Sequence, residues 1–230
     1  MRIDVVTLFP AMFEAFAGES MMKRAAAIGA VSFGTVNPRD FARDARRTVD
    51  DKPYGGGPGM LMKPGPLFEA VESVMSPDAR VILMAPAGRR FSQADARRLS
   101  AMSHLVIVCG HYEGIDERVE ATLADETLSI GDYVLTNGTL PAAVVADAVV
   151  RLLPGVLGGG EEATTGESFT TNLLEHPQFT RPPAFRGMKV PRVLQQGDHA
   201  KVAEWKRKSS EDVTGKRRPD LLGGRQARQH

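Results

Sequence analysis

Two apolar stretches decide the fold of this chain, RVILMAPAG at residues 80–88 and LVIVCG at residues 105–110. Each is a short run rich in Val, Ile and Leu that leads into a proline or a glycine, which is typical of a fully buried strand. Residues 92–102 between them have the apolar spacing of a helix, and Ser92 is a suitable N-cap. A strand, a helix and a second strand in this order predict parallel strands of an α/β sheet.

The same alternation extends outward from these two stretches. Residues 2–9 and 31–36 predict two more strands, and Pro10 suits the first turn of a helix after the earlier one. Further helices are predicted at residues 64–75, 115–123 and 141–153, and residues 37–62 are predicted to form a glycine-rich loop. The strand at 80–85 is predicted to end at Pro86 and Gly88. We therefore predict an α/β fold with a mostly parallel sheet.

The sequence changes character at residues 158–160, three glycines that precede a polar stretch predicted to be a flexible linker. Residues 171–230 contain 13 basic and 6 acidic side chains, whereas residues 1–170 contain 16 and 22, so the two parts carry net charges of +7 and −6. Basic helices are predicted at residues 194–208 and 209–215. The basic part suits a polyanion such as a nucleic acid, although basic tails are often merely solvated.

Composition excludes several classes of protein. Among the 230 residues there is one cysteine, Cys109, which excludes an internal disulfide framework and a zinc site built from several cysteines. The best candidate for a membrane span, residues 140–157, is too short and carries two charges. Residues 55–59 lack the Lys-Ser/Thr of a P-loop, and no G-x-G-x-x-G follows the first strand. With no signal peptide in sight, we expect a cytoplasmic protein without a membrane partner.

Glycines gather where the predicted strands end. Gly110 and Gly114 follow one strand, and Gly131 and Gly138 bracket the segment SIGDYVLTNG at residues 129–138. Open α/β sheets bind ligands at the carboxyl ends of their strands, where glycine lets backbone N–H groups approach a ligand closely. The alternative is that these glycines only form turns.

Five longer segments carry a resemblance to a known family. They are RTVDDKPYGGGPGMLM (47–62), VCGHYEGIDERV (108–119), SIGDYVLTNGTLPA (129–142), RLLPGVLG (151–158) and HPQFTRP (176–182). Together they resemble the bacterial tRNA (guanine-N1)-methyltransferases, which modify the guanosine at tRNA position 37 beside the anticodon. The resemblance runs from the first residue to about residue 222.

The resemblance implies a SPOUT-type parallel sheet with a deep trefoil knot over residues 1–158, an exception to the rule that chains do not thread loops. It also implies a flexible linker at residues 159–170 that carries the catalytic base. A small, basic helical domain at residues 171–230 would bind tRNA. Because the family forms homodimers whose active sites are shared between subunits, we expect a homodimer acting on tRNA with guanosine at position 37.

S-adenosylmethionine is the methyl donor that the resemblance implies, bound in the knot. The implied donor-binding residues are Pro86, Gly110, Tyr112, Gly114, Ile130, Gly131, Asp132, Tyr133, Val134, Leu135, Gly138 and Pro141. Asn137 and Thr139 depart from the glycine and glutamate of the family, although asparagine tolerates positive φ well enough for the turn to survive. His111 stands where the family often has a basic residue, and as a neutral surface histidine it needs no function.

The resemblance assigns catalysis to two residues. Methylation of guanine N1 requires a base to take its proton and positive charge near O6, and the matching positions are Glu167 and Arg151. Glu167 replaces the aspartate of better-known members, and its additional methylene is expected to compensate for a linker one residue longer. Two simpler explanations stay open. Arg151 lies four residues after Asp147 and could form an ordinary ion pair, and Glu167 could be a solvated linker carboxylate.

Three further residues are implied to contact the substrate: Asp50, Arg46 and Glu113. A carboxylate at position 50 can accept hydrogen bonds from the N1–H and amino group of a guanine, although the Arg46/Asp50 and Arg47/Asp51 spacings also allow local ion pairs. Mg²⁺ is expected from the resemblance, but no ligand is assigned, because magnesium keeps several waters and uses few protein ligands.

Two other functions are compatible with parts of the sequence. One is a SPOUT methyltransferase that modifies another RNA nucleotide, against which the 47–62 segment and the basic C-terminal part argue. The other is a non-catalytic RNA-binding protein that kept the fold, since a shared fold does not guarantee a shared function. Donor binding together with turnover distinguishes it from an enzyme.

Overall fold

The computed structural model describes residues 1–158 and 166–223, and the chain divides into two compact units, Met1–Gly160 and Glu161–His230. The strands of the first unit are β1 (Arg2–Val6), β2 (Ser32–Val36), β3 (Asp50–Asp51), β4 (Leu61–Met62), β5 (Ala79–Arg90), β6 (His104–Cys109) and β7 (Glu126–Ser129). Its helices are α1 (Pro10–Ala17), α2 (Ser20–Ala27), α3 (Pro64–Glu72), α4 (Gln93–Ser100), α5 (Glu117–Leu123) and α6 (Thr139–Val150).

Five parallel strands form the central sheet of this unit, in the order β2-β1-β6-β5-β7. Val5 of β1 is level with Ile107 of β6, which is level with Ile82 of β5. Every residue of the central strand β6 is buried. The prediction of an α/β fold with a parallel sheet is confirmed.

Both faces of the sheet are covered, which explains why residues 81–85 of β5 and 105–109 of β6 are continuous apolar runs rather than alternating patterns. In β6, Leu105, Ile107 and Cys109 face one core, and Val106 and Val108 face the other. Helices α1, α2, α4 and α6 contribute to the first core, and helices α3 and α5 contribute to the second.

Strand β5 is longer than its sequence predicts. Pro86 and Gly88 do not end it, because after an irregularity between Met84 and Arg89 the strand pairs with β7 again. Gly88 passes so close to β7 that a Cβ atom there would lie 2.6 Å from the carbonyl carbon of Leu128. Glycine at this position therefore permits a close backbone approach inside a strand rather than a turn at its end.

Other boundaries also differ from prediction. Strand β7 was not predicted, because its four residues are too few for a visible pattern. The loop predicted at residues 37–62 contains a 3₁₀ turn at Pro38–Phe41 and the antiparallel pair β3–β4. Helix α4 forms as predicted, and Ser92 and Asp95 make the reciprocal hydrogen bonds of a capping box at its N-terminus.

The second unit contains a short hairpin of β8 (Ala184–Phe185) and β9 (Met188–Lys189), followed by helices α7 (His199–Arg217) and α8 (Asp220–Gly223). The two helices predicted at residues 194–208 and 209–215 are one helix that starts later. Asp198 caps it by accepting from the N–H of Lys201, and the ion pair of Arg207 with Glu211 spans the predicted break.

No helix in the described ranges is long and apolar enough to cross a membrane. Residues 159–165 of the predicted linker lie outside the described residues, whereas Glu167 lies within them.

Candidate functional site

A cleft opens at the carboxyl ends of β5, β6 and β7 in the first unit. It lies between the segment that follows β6 and the loop of residues 130–138, which joins β7 to α6. Its lining combines apolar side chains with glycine backbone, and it includes Met84, Leu128, Ser129, Ile115, Thr136 and Asn137. This is the edge where an open parallel sheet binds its ligands.

Eleven of the twelve implied donor-binding residues line this one cleft: Pro86, Gly110, Tyr112, Gly114, Ile130, Gly131, Tyr133, Val134, Leu135, Gly138 and Pro141. Asp132 does not line it, because its exposed carboxylate forms an ion pair with Arg90, the last residue of β5. Glu113, which was implied to contact substrate, also lines the cleft.

Gly138 lets the 130–138 loop pack directly against the end of β6. Its N–H donates to the carbonyl of Gly110 at 2.8 Å. A Cβ atom at position 138 would lie 2.9 Å from both the Cα of Cys109 and the N of Gly110, closer than side chains normally approach backbone. The cleft therefore depends on a close approach of two backbone segments.

The two departures in this loop have compensating contacts. Asn137 Oδ1 accepts from the N–H of Thr139 at 2.9 Å, which satisfies one free donor at the start of α6. The buried Thr139 hydroxyl lies 2.7 Å from the Thr7 hydroxyl, just beyond the end of β1. The Cys109 thiol also hydrogen-bonds with Thr139, but burial raises the thiol pKa, so it stays protonated and unreactive.

The segment after β6 is held by ring contacts and hydrogen bonds. His111 donates from Nδ1 to the carbonyl of Thr136 at 2.9 Å, and the Phe9 ring meets its edge at 5.0 Å between centroids. The Tyr112 hydroxyl accepts from Arg39 Nη2 at 3.2 Å, and Tyr112 has a φ of 60°. His111 thus holds the 130–138 loop in place, a role that its surface position did not predict.

Arg39 is a residue that the sequence analysis missed. It lies outside the resembling segments, but it connects Tyr112 to the loop of residues 39–51, donating to the carbonyl of Arg47 at 3.1 Å. Arg47 in turn pairs with Asp40, not with Asp51. No pattern in the sequence brings Arg39 near Tyr112, since 73 positions separate them.

The implied substrate residues lie on this loop and beside it. Arg46 is exposed, and among the described residues it forms no ion pair with Asp50, which is half-buried at the start of β3. The side chain of Glu113 covers Gly59, where an added Cβ would lie 2.2 Å from its Cγ. The glycine-rich loop therefore passes directly beside the cleft.

The two implied catalytic residues lie in different units. Arg151 follows α6 as its C-cap, half-buried, and its N–H donates to the carbonyl of Asp147 at 3.1 Å. Glu167 is half-buried in a turn of the second unit, where its carbonyl accepts from the N–H of Thr170 at 3.2 Å.

The turn that carries Glu167 is anchored to the rest of the second unit. Ser168 Oγ accepts from the N–H of Glu175, and Phe169 donates its N–H to the carbonyl of Leu173. One residue further, the N–H of Leu174 donates at 2.9 Å to the buried hydroxyl of Thr214 on α7. Glu167 thus belongs to a segment with defined geometry.

Metal binding finds no support in these side chains. Within residues 1–158 and 166–223, no group of three or more His, Cys, Asp or Glu side chains is placed to hold a metal ion. Glu113 is thus not part of such a group among the described residues.

Comparisons with known proteins agree on one family. The model of the family described as tRNA (Guanine-1)-methyltransferase TrmD matches residues 1–224. A tRNA (guanine-N(1)-)-methyltransferase of Geobacillus kaustophilus is 54% identical over 96% of this chain and 91% of its own length. Relatives with the same name from Dehalococcoides mccartyi and Bacillus subtilis are 55% and 52% identical, each over 96% of this chain and over 90% and 92% of their own lengths.

Proposed function

This chain belongs to the tRNA (guanine-1)-methyltransferase family, and on that premise we propose that it transfers a methyl group from S-adenosylmethionine to N1 of guanosine 37 in tRNA. The observation that carries the proposal is the single cleft in which eleven of the implied donor-binding residues meet. The methyl acceptor is a cytoplasmic tRNA, and the basic second unit binds it.

The cleft has the chemistry that an adenosine-containing donor requires. Ile130, Leu135 and Pro86 offer apolar surface for a purine ring, and Gly110 and Gly131 expose backbone to polar groups. When bound, the donor supplies an electrophilic methyl group on a sulfonium. The close backbone approaches at Gly88 and Gly138 support threading of the chain as a trefoil knot, since crossing segments need such contacts.

Glu167 acts as the general base in this proposal. The guanine N1 proton must leave before the nitrogen lone pair can attack the methyl group, and a carboxylate within hydrogen-bond reach accepts it. Negative charge then develops on O6, where the Arg151 guanidinium stabilises it. Asp50 accepts a hydrogen bond from the amino group of the guanine. Arg46 contacts the neighbouring nucleotide, and Glu113 contacts the substrate from the side of the site where the donor binds.

A homodimer with shared sites is part of the same proposal. Leu140 and Val144 lie one turn apart on α6 and are 53% and 47% exposed, and Met12 on the adjoining α1 is 39% exposed. Such an apolar face suits a second copy of this chain. Glu167 of one subunit then acts with the donor cleft and Arg151 of the other.

Mg²⁺ enters this proposal only as an expected requirement for activity. The described side chains supply no ligand group for it, and no step of the reaction is assigned to it. Because Mg²⁺ in proteins is commonly held by substrate phosphates and few carboxylates, phosphates of the tRNA are its proposed ligands.

Donor turnover on unfractionated tRNA tests this function. The purified chain is incubated with methyl-labelled S-adenosylmethionine and tRNA, and binding of the donor alone is measured by calorimetry. Label in the tRNA is the expected result. Donor binding without any transferred label would contradict the proposal and favour a non-catalytic RNA-binding protein.

A further inference from the structure

One stretch of the second unit carries positive charge without any negative charge. Residues 176–197 contain no Asp or Glu, and their four cationic side chains are Arg181, Arg186, Lys189 and Arg192. None of the four forms an ion pair with another residue of the described chain. All four side chains are exposed.

Helix α7 of the same unit is different. Several of its cations are neutralised by neighbours one turn away, in the pairs Lys201–Asp198, Lys208–Glu204 and Arg207–Glu211. Three further cations of α7, Lys206, Lys216 and Arg217, form no ion pair within the described chain, so the 176–197 stretch is distinguished by its lack of acidic side chains.

A hairpin in this stretch presents apolar side chains to solvent. Phe185 of β8 and Met188 of β9 are directly opposite each other, so their side chains lie on the same face, and they are 56% and 67% exposed. The turn between them has φ values of 52° at Arg186 and 81° at Gly187, as a tight two-residue hairpin requires.

The Arg186 side chain at the tip of the hairpin lies over the ring of Phe185. The Arg186 guanidinium carbon lies 5.3 Å from the centroid of the Phe185 ring, within cation–π range. Next to the hairpin, Phe179 is 48% exposed, and it lines a shallow depression together with Arg181 and Leu194. Apolar side chains and cations that form no ion pair within the described chain therefore lie close together along this surface.

We propose that the hairpin of residues 184–189 is a stacking platform for an unpaired nucleotide of the tRNA. A base that is not paired can stack on Phe185 and Met188, whereas bases within a duplex cannot present their faces. Arg186 and Lys189 contact the adjoining phosphates, and Arg181 and Arg192 extend the same track. The inference rests on tRNA as the substrate of the proposed function.

Truncation of the aromatic ring tests the stacking contact. Phe185→Ala should raise the Kd for tRNA, and the KM for tRNA in methyl transfer, about tenfold, because one base loses its stacking partner. Phe185→Tyr should keep the affinity of the parent, because its ring also stacks. The matched control is Met75→Ala, an exposed apolar side chain of the first unit (47% exposed) that should leave Kd unchanged.

Salt dependence separates the stacking contact from the phosphate contacts. Arg186→Gln and Lys189→Gln should each reduce the slope of log Kd against log salt by about one, whereas Phe185→Ala should weaken binding without changing the slope. The donor Kd should stay that of the parent in all three variants.

Two results would overturn the inference. One is parental tRNA affinity in Phe185→Ala, and the other is a change in oligomeric mass in the hairpin variants, which would make the hairpin an interface between copies. Failure of the proposed function gives another pattern, in which the parent transfers no methyl group although tRNA binding still depends on Phe185. That pattern supports the stacking platform while it refutes the enzyme.

Discussion

Gly138 packs the 130–138 loop against the end of β6 without room for a side chain. Its φ of −81° is ordinary, so the requirement for glycine comes from space and not from backbone conformation. The neighbouring Asn137 and Thr139 rebuild the start of α6 with their own side chains. Both side chains thus hold the loop against the start of α6 and the end of β1.

Gly138→Ala should weaken donor binding at least tenfold, because the new Cβ would lie 2.9 Å from the backbone of β6 and displace the cleft wall. Calorimetric titration with S-adenosylmethionine measures the change. Gly65→Ala is the matched control, since nothing lies within 4 Å of a Cβ at that position. If Gly138→Ala bound S-adenosylmethionine with the Kd of the parent, donor binding would not depend on the position of this cleft wall.

Glu167→Gln should lower kcat by about 10²–10⁴, the usual contribution of a general base, while the donor Kd stays unchanged. Glu167→Asp should retain more activity, because it keeps the carboxylate and shortens its reach by one methylene. Single-turnover methyl transfer at saturating tRNA is the measurement. Comparable rates in Glu167→Gln and the parent would remove Glu167 from the chemistry.

Eleven of the twelve residues implied by the motifs line one cleft, because most of them follow directly after a strand end. Asp132 shows the limit of this approach, since its ion pair with Arg90 depends on where the end of β5 lies. Arg39 was missed for a related reason. Its contact with Tyr112 joins distant parts of the chain, and no local pattern encodes such a contact.

Secondary-structure elements meet at two polar contacts that stabilise the first unit. The Thr7–Thr139 hydroxyl pair joins the end of β1 to the start of α6. At the edge of the sheet, Arg89 on β5 donates to both carboxylate oxygens of Asp95 on α4, at 2.6 and 3.0 Å. Both contacts hold together elements that surround the cleft.

Thr139→Val should lower the free energy of unfolding by about 1–3 kcal/mol, because it removes the hydroxyl partner of the buried Thr7. Urea unfolding monitored by circular dichroism measures the loss. In the Thr7→Val, Thr139→Val double variant, the loss should be smaller than the sum of the two single losses. Strict additivity would mean that the two hydroxyls do not interact.

Acid should weaken the contact between α4 and β5. The Arg89 guanidinium holds the pKa of the Asp95 carboxyl well below its ordinary value of 3.8. A carboxyl with a lowered folded-state pKa contributes stability above its unfolded-state pKa and loses that contribution as the pH falls toward the folded-state value.

Asp95→Asn should therefore be less stable than the parent at neutral pH, but its stability should decline less between about pH 5 and pH 3. Asp78→Asn, at an exposed position, should keep the acid response of the parent. Parallel pH profiles of Asp95→Asn and the parent, from urea unfolding at each pH, would contradict this role.

Helices and strands were predicted correctly where the local sequence signals were strong. Prediction failed where pairing between strands determined the structure. Helix α4 has a capping box and clear apolar spacing, so it was predicted. Strand β7 and the extension of β5 exist because they pair with each other, and a proline and a glycine in β5 gave the opposite local signal.

The whole molecule is proposed to act as a dimer, because the exposed apolar face of α6 needs a partner. Val144→Asp should dissociate the dimer and abolish methyl transfer, since each site would lose the Glu167 of the second subunit. Light scattering and the transfer assay measure the two effects. Met75→Asp should change neither, and an active monomeric Val144→Asp would refute shared sites.

A glycine run and a change of charge are the sequence signals that predict a boundary between two parts of the chain. Composition could not determine where within the basic part the free charge lies. That distribution depends on helix α7, where carboxylates at i,i+3 and i,i+4 spacings pair with three of the six cations.

Target specificity tests the central claim most directly. Two tRNA transcripts, one with guanosine and one with adenosine at position 37, are incubated with the purified chain, labelled donor and Mg²⁺, and the methylated base is identified by mass spectrometry. We expect 1-methylguanosine at position 37 in the first transcript and no label in the second. Equal labelling of both transcripts, or methylation at another nucleotide, would contradict it.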